Sequence, residues 1–356
     1  MQIPTEPIGS IPRPAALIAA SADRQAGRIS GEQFDRVAQD ALEDTIRQFE
    51  HTGSPIITDG EQTKSSFVTY PLEGATNLAS GGVVIPFEDG HTRQLPALTA
   101  GPFRYAVHAS TYLQAAKRLT ALPVKQAVIS ASALSLLYPS TEIPGYPRDR
   151  FLADLIDEAE ADIRQCLAQG ANSVQIDFTE GRLSLKLDPS GGLLDNFVAL
   201  NNRVLDRFSD EERRRIGVHT CPGGDRDATH SASVDYAELL PALFRLRAGR
   251  FYIQLASEAN PERVLRIVRA HLPAGCTIFV GVIDPINPVV ETEEQVRDRV
   301  LHAAQYLPLA ALGTTDDCGF APFADDISTS REIAFEKIRV RVAGTKLAEE
   351  ELAREH

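Results

Sequence analysis

Apolar residues recur along the chain in two periods, and the two alternate. Over residues 29–52, Phe34, Val37, Ala41, Leu42, Ile46 and Phe49 fall at helical spacing after a Ser/Gly start, which predicts an amphipathic helix. A short apolar run, Pro55-Ile56-Ile57-Thr58, follows and ends in Asp59-Gly60-Glu61. Two extended runs, Val83–Phe87 and Gln94–Leu98, flank an Asp-Gly turn and predict a hairpin insertion over 82–99. Beyond it, strand-like runs at Val124–Ser130, Asn172–Asp177, Arg215–Thr220, Phe251–Ala256, Thr277–Asp284 and Leu309–Thr315 are separated by helix-like stretches. Those stretches lie at Arg148–Ala168, Asn196–Phe208, Tyr236–Leu246, Pro261–His271 and Thr292–Tyr306. With strands at Pro7–Gly9 and Ile56–Asp59 the count reaches eight, which predicts an α/β chain folded as one (β/α)8 TIM barrel over 1–356. No G-x-G-x-x-G follows a strand, which argues against an open dinucleotide-binding sheet. Residues Ser328–Glu351 read as a long helix whose charges form a solvated face.

That pattern places unusual residues together. Ser10, Glu61, Asp177, His219, Cys221, Glu258, Asp284 and Cys318 all fall at or just past the C-terminal ends of predicted strands, the rim where barrel enzymes build their sites. In an extended strand side chains two apart share a face, so His219 and Cys221 project together as a chelating pair. Cys318 adds a second thiolate. A His/Cys/Cys set suits zinc and leaves a position for an acid or an exogenous ligand, for which Glu258 is the candidate. Any one of these residues alone on an apolar strand is more often packed core than ligand; three at strand ends favour the metal. Cys166 and Cys276 read as bystander thiols, and His230 as an exposed loop residue.

Composition narrows the setting. The 356 residues carry a formal charge of −13, which disfavours a nucleic-acid or anionic-membrane partner. No apolar run approaches the ~18–20 residues needed to span a bilayer, and the start lacks a leader pattern, so the expected location is cytoplasmic. Four cysteines are too sparse for a disulfide framework, which leaves reduced thiols available to a metal. Zn²⁺ held by two thiolates and a neutral imidazole is near neutral overall and lowers the pKa of an arriving thiol. The added thiolate keeps sulfur nucleophilic, so alkylation of a thiol substrate is the chemistry this set suggests.

At this point the residues resemble the cobalamin-independent methionine synthase superfamily, in its C-terminal catalytic barrel. Ile8-Gly9-Ser10-Ile11-Pro12 looks like the opening I-G-S-x-P segment, Gly60-Glu61 the G-E segment, and Ile176-Asp177 the end of I-Q-I-D. His219-Thr220-Cys221 and Asp317-Cys318-Gly319 are similar to the H-x-C and D-C-G zinc segments. The resemblance implies zinc on His219, Cys221 and Cys318, with homocysteine held at Ile8, Ser10, Glu61 and Asp177, the last two being the catalytic carboxylates. It also reveals departures. Ala256 stands where the family carries its zinc glutamate, so Glu258 would have to substitute. Asp284-Pro285-Ile286-Asn287-Pro288 replaces a segment that carries a catalytic histidine, and the chain has no tryptophan for folate. A short, single-barrel branch of this kind also resembles epoxyalkane:coenzyme M transferases.

The expected function is therefore methyl or alkyl transfer from a small or protein-bound donor to a small thiol. Thiol addition to an epoxide, the reverse C–S cleavage, a non-catalytic zinc protein and a metal-free decarboxylase stay open as alternatives.

Overall fold

The computed structural model describes residues 2–87, 90–221, 223, 226–227 and 234–355. Six strands form one parallel sheet in chain order: Gln126–Ile129, Val174–Asp177, Ile216–Thr220, Arg250–Ile253, Thr277–Ile283 and Leu312–Asp316. Nearly every residue in them is buried, as expected of parallel strands covered on both faces. The register sets Ile129 opposite Asp177, Asp177 opposite His219, and His219 opposite Tyr252.

The ladder has six strands rather than the predicted eight. The segment Ile56–Asp59 touches one edge through a single bridge, Ile57 to Val124, and the N-terminal segment touches the other at Thr5, opposite Thr314, just ahead of the predicted Pro7–Gly9. They reach each other through Ile11 N–H donating to Gly60 O at 3.0 Å and Thr58 Oγ1 donating to Gly9 O at 2.8 Å. Pro4, Pro7 and Pro55 have no N–H to extend either ladder, which accounts for the brevity.

The helices follow the predicted period with small shifts of boundary. Gly31–His51 opens on a Ser30/Gln33 capping box, and Arg148–Ala168 and Pro261–His271 match their expected limits. Gly192–Leu205, Tyr236–Leu243 and Glu293–Ala304 shift by a few residues. The insertion is a double hairpin, Leu78–Ala79 with Ala97–Leu98 and Val84–Pro86 with Thr92–Gln94. Its Glu88-Asp89 turn lies outside the described residues.

The C-terminal helix, Arg331–Glu355, corrects one expectation. Its charges are not all solvated: Lys337 and Arg341 are fully buried. Lys337 pairs with Glu291 at 2.7 Å, and Arg341 pairs with Asp316 at the end of the last strand. Under the sheet, Lys125 donates to Gln175 Oε1 at 2.8 Å and lies over the Tyr252 ring, while Tyr252 donates to Glu6 at 2.6 Å. Burial lowers the Lys125 pKa to about 8 against the pull of Glu6. The interior is thus polar directly beneath the strand ends, where it supports the site through Gln175.

Candidate functional site

His219 is the penultimate residue of the strand Ile216–Thr220, Cys221 follows that strand directly, and Cys318 sits two residues past the strand Leu312–Asp316. Their ligating atoms lie within 4.8 Å of one another, and all three side chains are buried. The two sulfurs are 3.2 Å apart, far longer than the ~2.0 Å of a disulfide and about half an ångström closer than two thiolates at ~2.3 Å on one tetrahedral zinc would stand. Neither nitrogen of His219 has a hydrogen-bond partner, although the ring is 2% exposed. A buried imidazole with both nitrogens idle is costly unless something else ligates it, so the donor set fits a metal ion. The touching Cys318 thiol, helped by His219, holds Cys221 well below the ordinary thiol range despite burial. Burial pulls His219 down, but the adjacent Cys221 sulfur and Asp177 leave it raised overall.

Cys318 is held by its neighbours. Asp317 accepts from Leu255 N–H, Ala256 N–H, Ser257 N–H and Ser257 Oγ, at 2.7–2.9 Å. Burial lifts its pKa to about 7 while those donors pull it back. Room for this carboxylate comes from Gly281, where a Cβ would lie 1.8 Å from Asp317 Oδ1. On the other side, a Cβ on Gly319 would lie 2.1 Å from Ser10 Oγ, so glycine lets the N-terminal segment pack against the cysteine loop. Phe320 N–H donates to Ser10 O at 3.0 Å across the same contact.

The triplet opens on a cavity of about 410 Å3, whose polar end includes Ser10, Glu61, Gln175, Asp177 and Glu180, with Ile8 beside them. Asp177 accepts from Gln175 Nε2 at 2.8 Å; burial raises its pKa to about 6, against the nearby His219. Glu61 has φ of +54°, an uncommon conformation for a side chain of this size, and its carboxylate accepts from Lys64 at 3.0 Å. Lys64 is fully buried and also donates to Ala127 O at 3.0 Å. The lysine cancels most of the Glu61 charge, so the pair offers an ammonium less attraction than two bare carboxylates would. The sequence showed Lys64 three residues after Glu61, but nothing local told that it folds back onto it.

Two rim candidates are not brought to the cavity. Glu258 is outside the triplet; its carboxylate accepts from Gln254 Nε2 at 2.9 Å and lies 3.9 Å from Arg182. Asp317 clamps the backbone of residues 255–257, which fixes where Glu258 can point. Asp284 turns away, its Oδ1 accepting from Ile286 N–H at 2.9 Å. His230 lies outside the described residues. Cys166 is fully buried, and Cys276 is half-buried with its thiol donating to Ala248 O.

The apolar end of the cavity was missed from sequence. The hairpin contributes Ile85, Phe87 and Leu95, which face Phe67, Leu136, Leu183 and Phe323. Arg93 anchors the hairpin, its guanidinium 3.8 Å from the Phe323 ring centre and paired with Asp325 at 3.0 Å and Asp326 at 3.2 Å. No helix among the described residues is long and apolar enough to cross a membrane.

Known proteins match this arrangement over nearly the full chain. The chain is 24% identical over 386 residues to a 2-hydroxypropyl-CoM lyase of Xanthobacter autotrophicus, covering 99% of this chain and 96% of that one. It is 24% identical over 351 residues to a methionine synthase of Sulfurisphaera tokodaii, covering 98% and 94%. In fold it is similar to a B12-independent methionine synthase from a Shewanella species solved with selenomethionine, with TM-score 0.77 and 19% identity over 99% of this chain and 100% of that one. A Listeria monocytogenes protein described as a putative vitamin-B12 independent methionine synthase superposes with TM-score 0.71 at 20% identity, over 97% and 98%. The model of the cobalamin-independent synthase catalytic domain matches residues 3–331, and the chain belongs to that family.

Proposed function

We infer that the chain is a single closed (β/α)8 domain over 1–356 and a zinc-dependent transferase that moves a methyl or alkyl group onto the sulfur of a small thiol. The observation that carries this reading is the buried His219, Cys221 and Cys318 triplet, with its idle imidazole nitrogens, opening on a cavity lined by carboxylates. Zinc bound there would supply the Lewis acidity that makes an arriving thiol ionise at neutral pH. His219, Cys221 and Cys318 hold it, and Glu258 is proposed to stay with Gln254 and Arg182 unless its loop moves. Asp177 receives the substrate's ammonium group, and Glu61 contributes with its charge tempered by Lys64. Ile8 and Ser10 frame the carboxylate end.

A second reading shares the centre and changes the electrophile. Aromatic and aliphatic side chains from the hairpin suit an apolar epoxide or alkyl group, and one relative acts under the name 2-hydroxypropyl-CoM lyase. X-ray absorption at the zinc edge, with and without homocysteine, tests the common step. A gain of one sulfur neighbour is expected; no change across a panel of thiols refutes the reading. With the active thiol fixed, a methyl-donor assay and an epoxide assay then separate the two electrophiles.

A further inference from the structure

Glu180 stands three residues past Asp177 and opens the helix Glu180–Leu187. Its side chain is 6% exposed and lines the cavity beside Asp177, Ala133 and Leu183. Ser130 Oγ donates to its Oε1 at 2.5 Å, and Ser132 Oγ donates to the same oxygen. Ser132 is itself fixed by Asn201, whose Nδ2 donates to its hydroxyl at 2.6 Å. The other oxygen, Oε2, has no hydrogen-bond partner. With Oε1 filled by two hydroxyl donors, the proton of the neutral acid has its place on Oε2.

Among the described residues, the other ionisable groups lining the cavity are committed elsewhere. The metal triplet takes His219, Cys221 and Cys318; Glu61 is paired with Lys64; Asp177 is tied to Gln175; Arg93 is held at the hairpin. An alkyl transfer to sulfur breaks a carbon–heteroatom bond, and a poor leaving atom such as an epoxide oxygen or an amine nitrogen must be protonated as it departs. We propose that Glu180 is the general acid that protonates the leaving atom of the alkyl donor, a role that rests on the thiol-alkylation reading above. The thiolate sulfur forms the new bond to carbon, the electron pair of the broken bond goes to the leaving atom, and the Oε2 proton follows it. The two serine hydroxyls and the helix N-terminus stabilise the carboxylate left behind. The proton released when the next thiol ionises restores the acid, so no other reactant is needed. Burial raises the Glu180 pKa to about 7, Asp177 acts in the same direction, and Ser130 and Ser132 oppose them. About half of the Glu180 carboxyls therefore hold the proton at pH 7, and most do below it.

The test compares donors that differ in their need for a proton, using purified zinc-loaded protein and the thiol that the absorption experiment selects. Iodomethane leaves as iodide and needs none; 1,2-epoxypropane and 5-methyltetrahydrofolate do. E180Q should lose at least about 100-fold in kcat with whichever protonation-dependent donor the wild type uses, while enzyme-dependent iodomethane turnover stays within about twofold. E180D, which keeps the acid, should recover part of the loss. Independently of activity, the wild-type-minus-E180Q infrared difference spectrum should contain a neutral carboxylic-acid C=O band that titrates near pH 7. Equal loss with both donor types, no loss with either, a wild type active only with iodomethane, or absence of that band overturns the proposal. Failure of the wild type to alkylate any thiol even with iodomethane would instead count against the parent reading, and the infrared band would still report on Glu180.

Discussion

Replacing Glu180 by glutamine should change how stability depends on pH, with a size that follows from its surroundings. The carboxyl is buried, has one oxygen without a partner, and titrates at about 7 rather than the ordinary 4.5. Its folded pKa is raised, so its contribution to stability is fully present below pH 4.5 and is lost as pH rises through 7. Each tenfold change in protonation equilibrium corresponds to about 1.4 kcal/mol. Glutamine is neutral at every pH, keeps an oxygen for Ser130 and Ser132, and puts its amide where the proton stood. Relative to wild type, E180Q should therefore gain about 1 kcal/mol at pH 5 and about 3 kcal/mol at pH 8. Any fixed cost of the substitution shifts both values equally, so the informative quantity is the widening of about 2 kcal/mol. Urea unfolding at the two pH values, followed by circular dichroism with metal content matched, measures it. A gap that stays constant, or that shrinks at pH 8, refutes the assignment of a neutral buried acid.

Two further substitutions probe the scaffold. Lys64→Met leaves Glu61 buried without its partner, and should cost about 3–5 kcal/mol in denaturant unfolding; a loss below about 1 kcal/mol would mean that the pair contributes little. Gly281→Ala drives a methyl into Asp317 and should loosen both the loop at 255–257 and Cys318. Zinc affinity measured by chelator competition should fall at least tenfold, and unchanged affinity would show that the Asp317 clamp does not govern the metal ligands.

Much of the architecture was readable because it rests on local period. The helix Gly31–His51 shows its core face in Leu42, Ile46 and Phe49 and its start in Ser30, all within one stretch of chain. Strand ends were readable for the same reason, and they placed His219, Cys221 and Cys318 on one rim. Misplacements arose where a distant partner decides. Lys337 and Arg341 look like surface charges on a helix until Glu291 and Asp316 are seen beside them. The turn that leads into Glu258 is likewise held from afar, by Asp317, about sixty positions later in the chain.

Sequence by itself therefore determined the alternation of elements, the His-x-Cys spacing that puts two ligands on one face, and the family to which they point. Tertiary structure alone decided that Lys64 tempers Glu61, that the hairpin walls the cavity, and that Glu180 faces it with one oxygen unpartnered. The physical reason is the same in each case. Period and spacing are imposed by backbone geometry within a few residues, whereas the charge state and reach of a buried side chain depend on desolvation and on partners that only packing brings near.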